Sequence, residues 1–148
     1  MGGIWVRPNR ISIHDPNRAM PETQGHALIL FAHGARDTRW GQTLQALREV
    51  VLARRPSSRV DVAFLELQPP TLPQALAAAA EAGCKRIDIA PIFWASGGHL
   101  VNDVPPLLDE FRRANPQVQL NLLPVLSELP GMADFVASSL DALAANPQ

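Results

Sequence analysis

Short apolar runs alternate along this chain with segments in which apolar residues recur every three to four positions, and the alternation begins at Ala27. The runs predict strands at about 27–32, 60–65, 86–92 and 118–123, and the intervening segments predict helices at about 39–54, 72–82, 103–114 and 131–144. Strand and helix in strict alternation are the mark of βαβ units and hence of a parallel sheet. The first helix aligns Trp40, Leu44, Leu47 and Val51 on one face and ends before Pro56. The second carries a capping-box pattern, Thr71-x-x-Gln74, has Pro73 in its first turn and stops at Gly83. The third tolerates Pro105 and Pro106 in its first turn and turns Leu107, Leu108 and Phe111 inward, with Asn102 or Asp103 as cap. The fourth, with Met132, Phe135, Val136, Ser139, Leu140 and Leu143 in register, is the clearest amphipathic segment. The fold class expected is therefore α/β: a single half-domain whose central four-stranded parallel sheet is flanked by helices.

Right-handed crossovers bring all strand carboxyl ends to one edge of such a sheet, the edge where open α/β folds bind ligands. His33 follows the first strand, Glu66 the second, and His99 lies in the glycine-bearing segment after the third. Neutral imidazole is the commonest protein metal ligand. Two of the chain's four histidines converging there predict a metal site.

Composition narrows the function classes. The formal net charge of −1 offers no basic surplus for nucleic acid or an anionic membrane surface. The apolar run 27–32 is far shorter than the roughly 18 residues of a membrane span, and no signal-peptide core precedes it. Cys84, the single cysteine, excludes an internal disulfide framework and a thiolate zinc cage, fits a reducing cytoplasm, and reads as a buried turn residue. Residues 1–25, with Pro8, Pro16 and Pro21 among arginines, show no periodicity and are expected to be a disordered tail; Met20 stands just before the pattern as a second candidate start. The domain is expected to span 26–146, and His14 and His26, in or beside the tail, are assigned no role.

Three stretches resemble a known family. They are Leu30-Phe31-Ala32-His33-Gly34-Ala35-Arg36-Asp37, Val62-Ala63-Phe64-Leu65-Glu66, and Pro91-Ile92-Phe93-Trp94-Ala95-Ser96-Gly97-Gly98-His99-Leu100-Val101-Asn102-Asp103-Val104-Pro105. The chain resembles the small CbiX-type chelatases from about Ala27 to Leu143, and the third stretch is the most specific. The resemblance implies insertion of a divalent metal, cobalt, iron or nickel, into sirohydrochlorin in cobalamin or siroheme biosynthesis. It implies His33 and His99 as the metal-binding pair, Glu66 as a third catalytic group, no permanently bound cofactor, and pairing of short members as homodimers. Ala35 stands where serine is common, and Leu126-Ser127-Glu128-Leu129-Pro130 is a loose form of a Gly-Glu-His-Pro-like segment.

The chemistry asks for such residues independently. Metal insertion must strip water from a divalent ion, hold it near the ring nitrogens and remove two pyrrole protons. Imidazole binds cobalt(II), nickel(II) and iron(II) well, and two such ligands leave coordination positions open. Glu66 fits either as proton acceptor or as a further ligand. A substrate rich in carboxylates calls for donors, for which Arg36, Arg39, Ser96 and the Gly97-Gly98 backbone are the candidates. Lys85 and Arg86, on the opposite edge, read as solvated charge. Asp103 is a helix cap or a catalytic group, and Phe93 and Trp94 are core or the apolar floor of a site. Two rival functions remain at this point. A histidine phosphatase or mutase requires an arginine where Ala32 stands; a non-catalytic metal- or tetrapyrrole-binding carrier keeps both histidines but lacks turnover.

Overall fold

Strand β1, His26–Ala32, is apolar at nearly every position and buried on both faces, as a central parallel strand must be. It pairs in parallel with β2, Arg59–Phe64, on one side and with β3, Arg86–Pro91, on the other; β4, Gln119–Leu122, completes the order β2-β1-β3-β4. These coordinates are a computed structural model describing residues 25–146. The expected tail, Gly25 apart, and His14 lie outside the described residues. Among the described residues no helix is long and apolar enough to cross a membrane.

Alternate residues along the strands build two cores. Ala27, Ile29 and Phe31 of β1 with Ile87 and Ile89 of β3 face helices α2, Leu72–Glu81, and α4, Val104–Ala114. Leu28 and Leu30 with Val60, Val62 and Phe64 face α1, Thr38–Arg54. The capping box of α2 forms as expected, Thr71 Oγ1 accepting from Gln74 N and Gln74 Oε1 accepting from Thr71 N. Gly83 follows that helix in the left-handed region at φ +85°, where a side chain is disfavoured.

The structure corrects one expectation and adds to two others. The face of α1 turned to the sheet centres on Leu44, with Arg48, Val51 and Leu52 half-buried, whereas Trp40 is 68% exposed. Arg48 packs its stem there because its Nε donates to the Val60 carbonyl at 2.6 Å. The third helix forms where expected, as α4, and a short unforeseen helix, α3, Gly98–Asn102, precedes it, with the break at Asp103. Pro105 and Pro106 have no N–H to offer the carbonyls of Val101 and Asn102, so one continuous helix cannot form. The last helix, α5, Met132–Ala145, folds as expected but has no buried residue; Phe135 and Leu143 are 68% and 71% exposed. It packs mainly on the 3-10 turn Leu126–Glu128, and the β3–β4 half of the α1-side face, with Ala90, Ile92 and Leu123, is only partly covered.

At the amino ends of the strands, His26 has a structural role. Its Nε2 donates to Asp88 Oδ2 at 2.7 Å while its Nδ1 accepts from Arg55 at 2.9 Å. Burial pushes the Asp88 carboxyl up, but hydrogen bonds from Asn121, Arg86 and His26 and the Arg86 charge outweigh it and hold the group below the usual carboxylate range. Arg86 is thus paired with Asp88 rather than merely solvated. Cys84 is buried in its turn, and desolvation raises its thiol pKa.

Candidate functional site

Where β1 hands over to β2 on one side and to β3 on the other, the sheet has its switch point, and the segments after β1 and β3 flank the crevice there. Residues 33–37 leave β1 into α1, capped by Asp37, whose carboxylate accepts from Arg39 N at 3.0 Å. Residues 92–97 leave β3 into α3, so His99 stands on the first turn of a short helix rather than in a loop.

Backbone pairing continues past the ends of β1 and β2. Leu65 N donates to Ala32 O at 2.9 Å and Glu66 N to His33 O at 3.1 Å, which sets Glu66 beside His33. The approach is so close that a Cβ on Gly34, at φ +91°, would lie 2.0 Å from the Glu66 carbonyl oxygen. Gln68 completes the seam, its Oε1 accepting from Ala35 N at 3.2 Å. Sequence reasoning missed Gln68 altogether. No local signal marks it, because its partner is 33 residues away.

His33 and His99, from separate crossover units, stand edge to face with ring centroids 5.8 Å apart and planes 74° apart. Nδ1 of His33 lies 3.3 Å from Gly34 O, an acceptor only, and Nδ1 of His99 lies 2.9 Å from Asp103 Oδ2. Both bonds assign the proton to Nδ1 and leave the Nε2 lone pairs unused. His33 Nε2 faces Glu66 Oε1 at 3.5 Å. Among the described residues, no group of three or more His, Cys, Asp or Glu side chains is arranged to hold a metal ion.

Beside His33 a cavity of about 410 Å³ is lined by Ala32, Gly34, Ala35, Trp40, Phe64, Ile92 and Phe93. Phe93 does both things expected of it, packing edge-on against Phe31 at 5.7 Å and facing the cavity; Trp94 is exposed. The 3-10 turn backs this segment, Leu126 N donating to Phe93 O and Ser127 N to Trp94 O.

The expected donors differ in their surroundings. Arg36 is exposed with no ion pair among the described residues. Arg39 is held by Asp37, Nε donating to both carboxylate oxygens at 2.9 Å; these bonds lower the Asp37 pKa and raise that of Arg39. Ser96, Gly97 and Gly98 are exposed. Around Gly97 nothing lies within 4 Å of where a Cβ would stand, so the fold itself does not demand glycine there.

The sequence model of the CbiX family matches residues 27–143, which covers both histidines, Glu66 and most of the described domain. The chain belongs to the CbiX family. Relatives of this CbiX sequence include the sirohydrochlorin cobaltochelatase of Methanocaldococcus jannaschii, 40% identical over 82 residues, and that of Methanococcus maripaludis, 33% identical over 82 residues. Each match covers 55% of this chain and 57% of the relative, so the chain spans little more than half the length of the curated relatives it matches. A protein described as a CbiX of cobalamin biosynthesis from Marinobacter aquaeolei VT8 superposes with a TM-score of 0.70 at 26% identity, covering 81% of this chain and 98% of that one. The sirohydrochlorin chelatase SirB of Bacillus subtilis subspecies spizizenii, solved with cobalt, shares the fold at a TM-score of 0.69 and 21% identity; 80% of this chain matches 51% of SirB. The CbiX fold thus fills about half of that longer chain.

Proposed function

We propose that this protein inserts a divalent metal ion, cobalt(II) or else iron(II) or nickel(II), into sirohydrochlorin on the way to cobalamin or siroheme, in the cytoplasm. The observation that carries the reading is the facing pair His33 and His99 with Glu66 at 3.5 Å from His33 Nε2. Relatives named sirohydrochlorin cobaltochelatase support it. In this reading the metal is a substrate. The two Nε2 atoms take it from water and hold it at the mouth of the apolar cavity, leaving its other positions to the ring nitrogens. As the metal enters, two pyrrole N–H protons leave. Neither histidine can accept them while its lone pair is on the metal; the adjacent Glu66 carboxylate, open to solvent, takes the first, passes it to water and is then free to take the second. Arg36 takes a carboxylate arm directly, Arg39 after release from Asp37, and the Ser96-Gly97-Gly98 backbone lies open to the rim.

An anaerobic spectral assay with sirohydrochlorin and cobalt(II), iron(II) or nickel(II) in parallel tests this. Turnover is expected. Binding of metal and tetrapyrrole without turnover identifies a carrier instead. Glu66→Gln keeps size and one oxygen but removes the base, so insertion is expected to slow 10- to 100-fold, about 1.4 to 2.8 kcal/mol of barrier, with metal affinity falling only modestly. Affinity collapsing in proportion to rate makes Glu66 a ligand.

The active form in this reading is a homodimer. The exposed apolar face of α5, Phe135, Leu140 and Leu143, supports it, as does the open half of the sheet beside it. Sedimentation is expected to show a dimer at micromolar concentration, and Phe135→Asp with Leu143→Asp to give a folded monomer. A monomeric wild type overturns this assignment.

A further inference from the structure

Asp103 occupies the first position before α4, where a carboxylate ordinarily caps the helix, yet its side chain makes no capping hydrogen bond. Its backbone is itself helical there, at φ −96° and ψ −31°, and the carboxylate turns back four residues to His99 Nδ1 at 2.9 Å. We propose that Asp103 is a positioning residue that fixes the His99 ring and its Nδ1–H tautomer, so that Nε2 presents its lone pair to the incoming metal.

The proposal rests on the reading of His99 as a ligand and extends it. A neutral imidazole in water carries its proton mainly on Nε2, the nitrogen required here as donor atom to the metal. A hydrogen-bond acceptor at Nδ1 reverses that preference and orients the ring. His33 has only the neutral Gly34 carbonyl at 3.3 Å for this purpose, whereas His99 has a carboxylate at shorter range. The pair is exposed, so water competes for it and its contribution to stability is small. What holds the two groups in place is their neighbours: Leu100, after His99, and Val104, after Asp103, are both buried in the core. The proline-enforced break at Asp103 therefore fixes a geometry for the ring instead of merely ending a helix.

The tautomer can be read without any chelation. Long-range proton–nitrogen correlation spectra of the 15N-labelled full chain, recorded along an alkaline series until the imidazole signals no longer move, are expected to show His99 as Nδ1–H. In Asp103→Ala the His99 signals shift toward Nε2–H while those of His33 stay unchanged. In Asp103→Asn, whose amide oxygen can still accept, the Nδ1–H form returns. Cobalt(II) affinity measured by calorimetry falls about 10- to 100-fold in the alanine variant and recovers largely in the asparagine variant, with the melting temperature of both near wild type. His99 remaining Nδ1–H in Asp103→Ala overturns the proposal, as does an equal loss of melting temperature in both variants. A tautomer shift with cobalt affinity unchanged upholds the hold of Asp103 on the ring and removes His99 from the metal site, so failure of the underlying reading shows up separately.

Discussion

Replacing either His33 or His99 with alanine is expected to abolish most metal insertion while the chain keeps its fold. The two side chains are 45% and 68% exposed and neither contributes to a core cluster, so their removal falls in the range of surface substitutions, within about 0.5 kcal/mol of stability. The chemistry has no such tolerance. On the proposed reading, loss of one imidazole leaves a single histidine to compete with water for the ion, and the metal is no longer held between the two crossover units. A rate loss of about a thousandfold or more is expected, roughly 4 kcal/mol of barrier. Initial chelation rates and thermal unfolding of both variants check it. Near wild-type insertion in either would take that histidine out of the site.

The second large effect belongs to a residue with no functional group. Gly34→Ala places a methyl 2.0 Å from the Glu66 carbonyl oxygen and does so in the left-handed region, at φ +91°. The obstacle is backbone, not the end of a flexible side chain, so the seam between the two loops must open. The Glu66 N to His33 O bond and the Gln68 bond to Ala35 N are the first casualties. A loss of about 3 kcal/mol is expected, corresponding to a fall in melting temperature of about 10 °C or more. Insertion should fall as well, because the movement carries Glu66 away from His33 Nε2. Gly97→Ala is the control: its φ of −101° is ordinary and the space is open, so stability should stay at the wild-type level. Equal melting temperatures for the two variants would mean that the loops at Gly34 part without strain.

Local regularity carried the strands, the α2 cap and the order of elements in the sequence. The run 27–32 is apolar throughout because β1 is covered on both sides, and Thr71 with Gln74 announces α2 because both partners of that box lie within one turn. Parallel topology then placed His33, Glu66 and the His99 segment on one edge, so their shared edge was legible before their geometry. The face of α1 was not, because the stem of Arg48 packs inward while Trp40 stays out at the cavity, and periodicity of apolar letters sees neither. Nor was the meaning of α5 legible: an amphipathic pattern reports that a face seeks a partner, not that its own domain supplies one. The ring-to-ring approach of His33 and His99, the Glu66 seam under Gly34 and the turn of Asp103 from cap to ring acceptor depend on contacts between segments 30 or more residues apart or on a helix break that the prolines allow but do not aim. Sequence fixes local conformation through neighbours a few positions away. Distances between crossover units are set by how the packed sheet brings their ends together, and only the tertiary structure decides those.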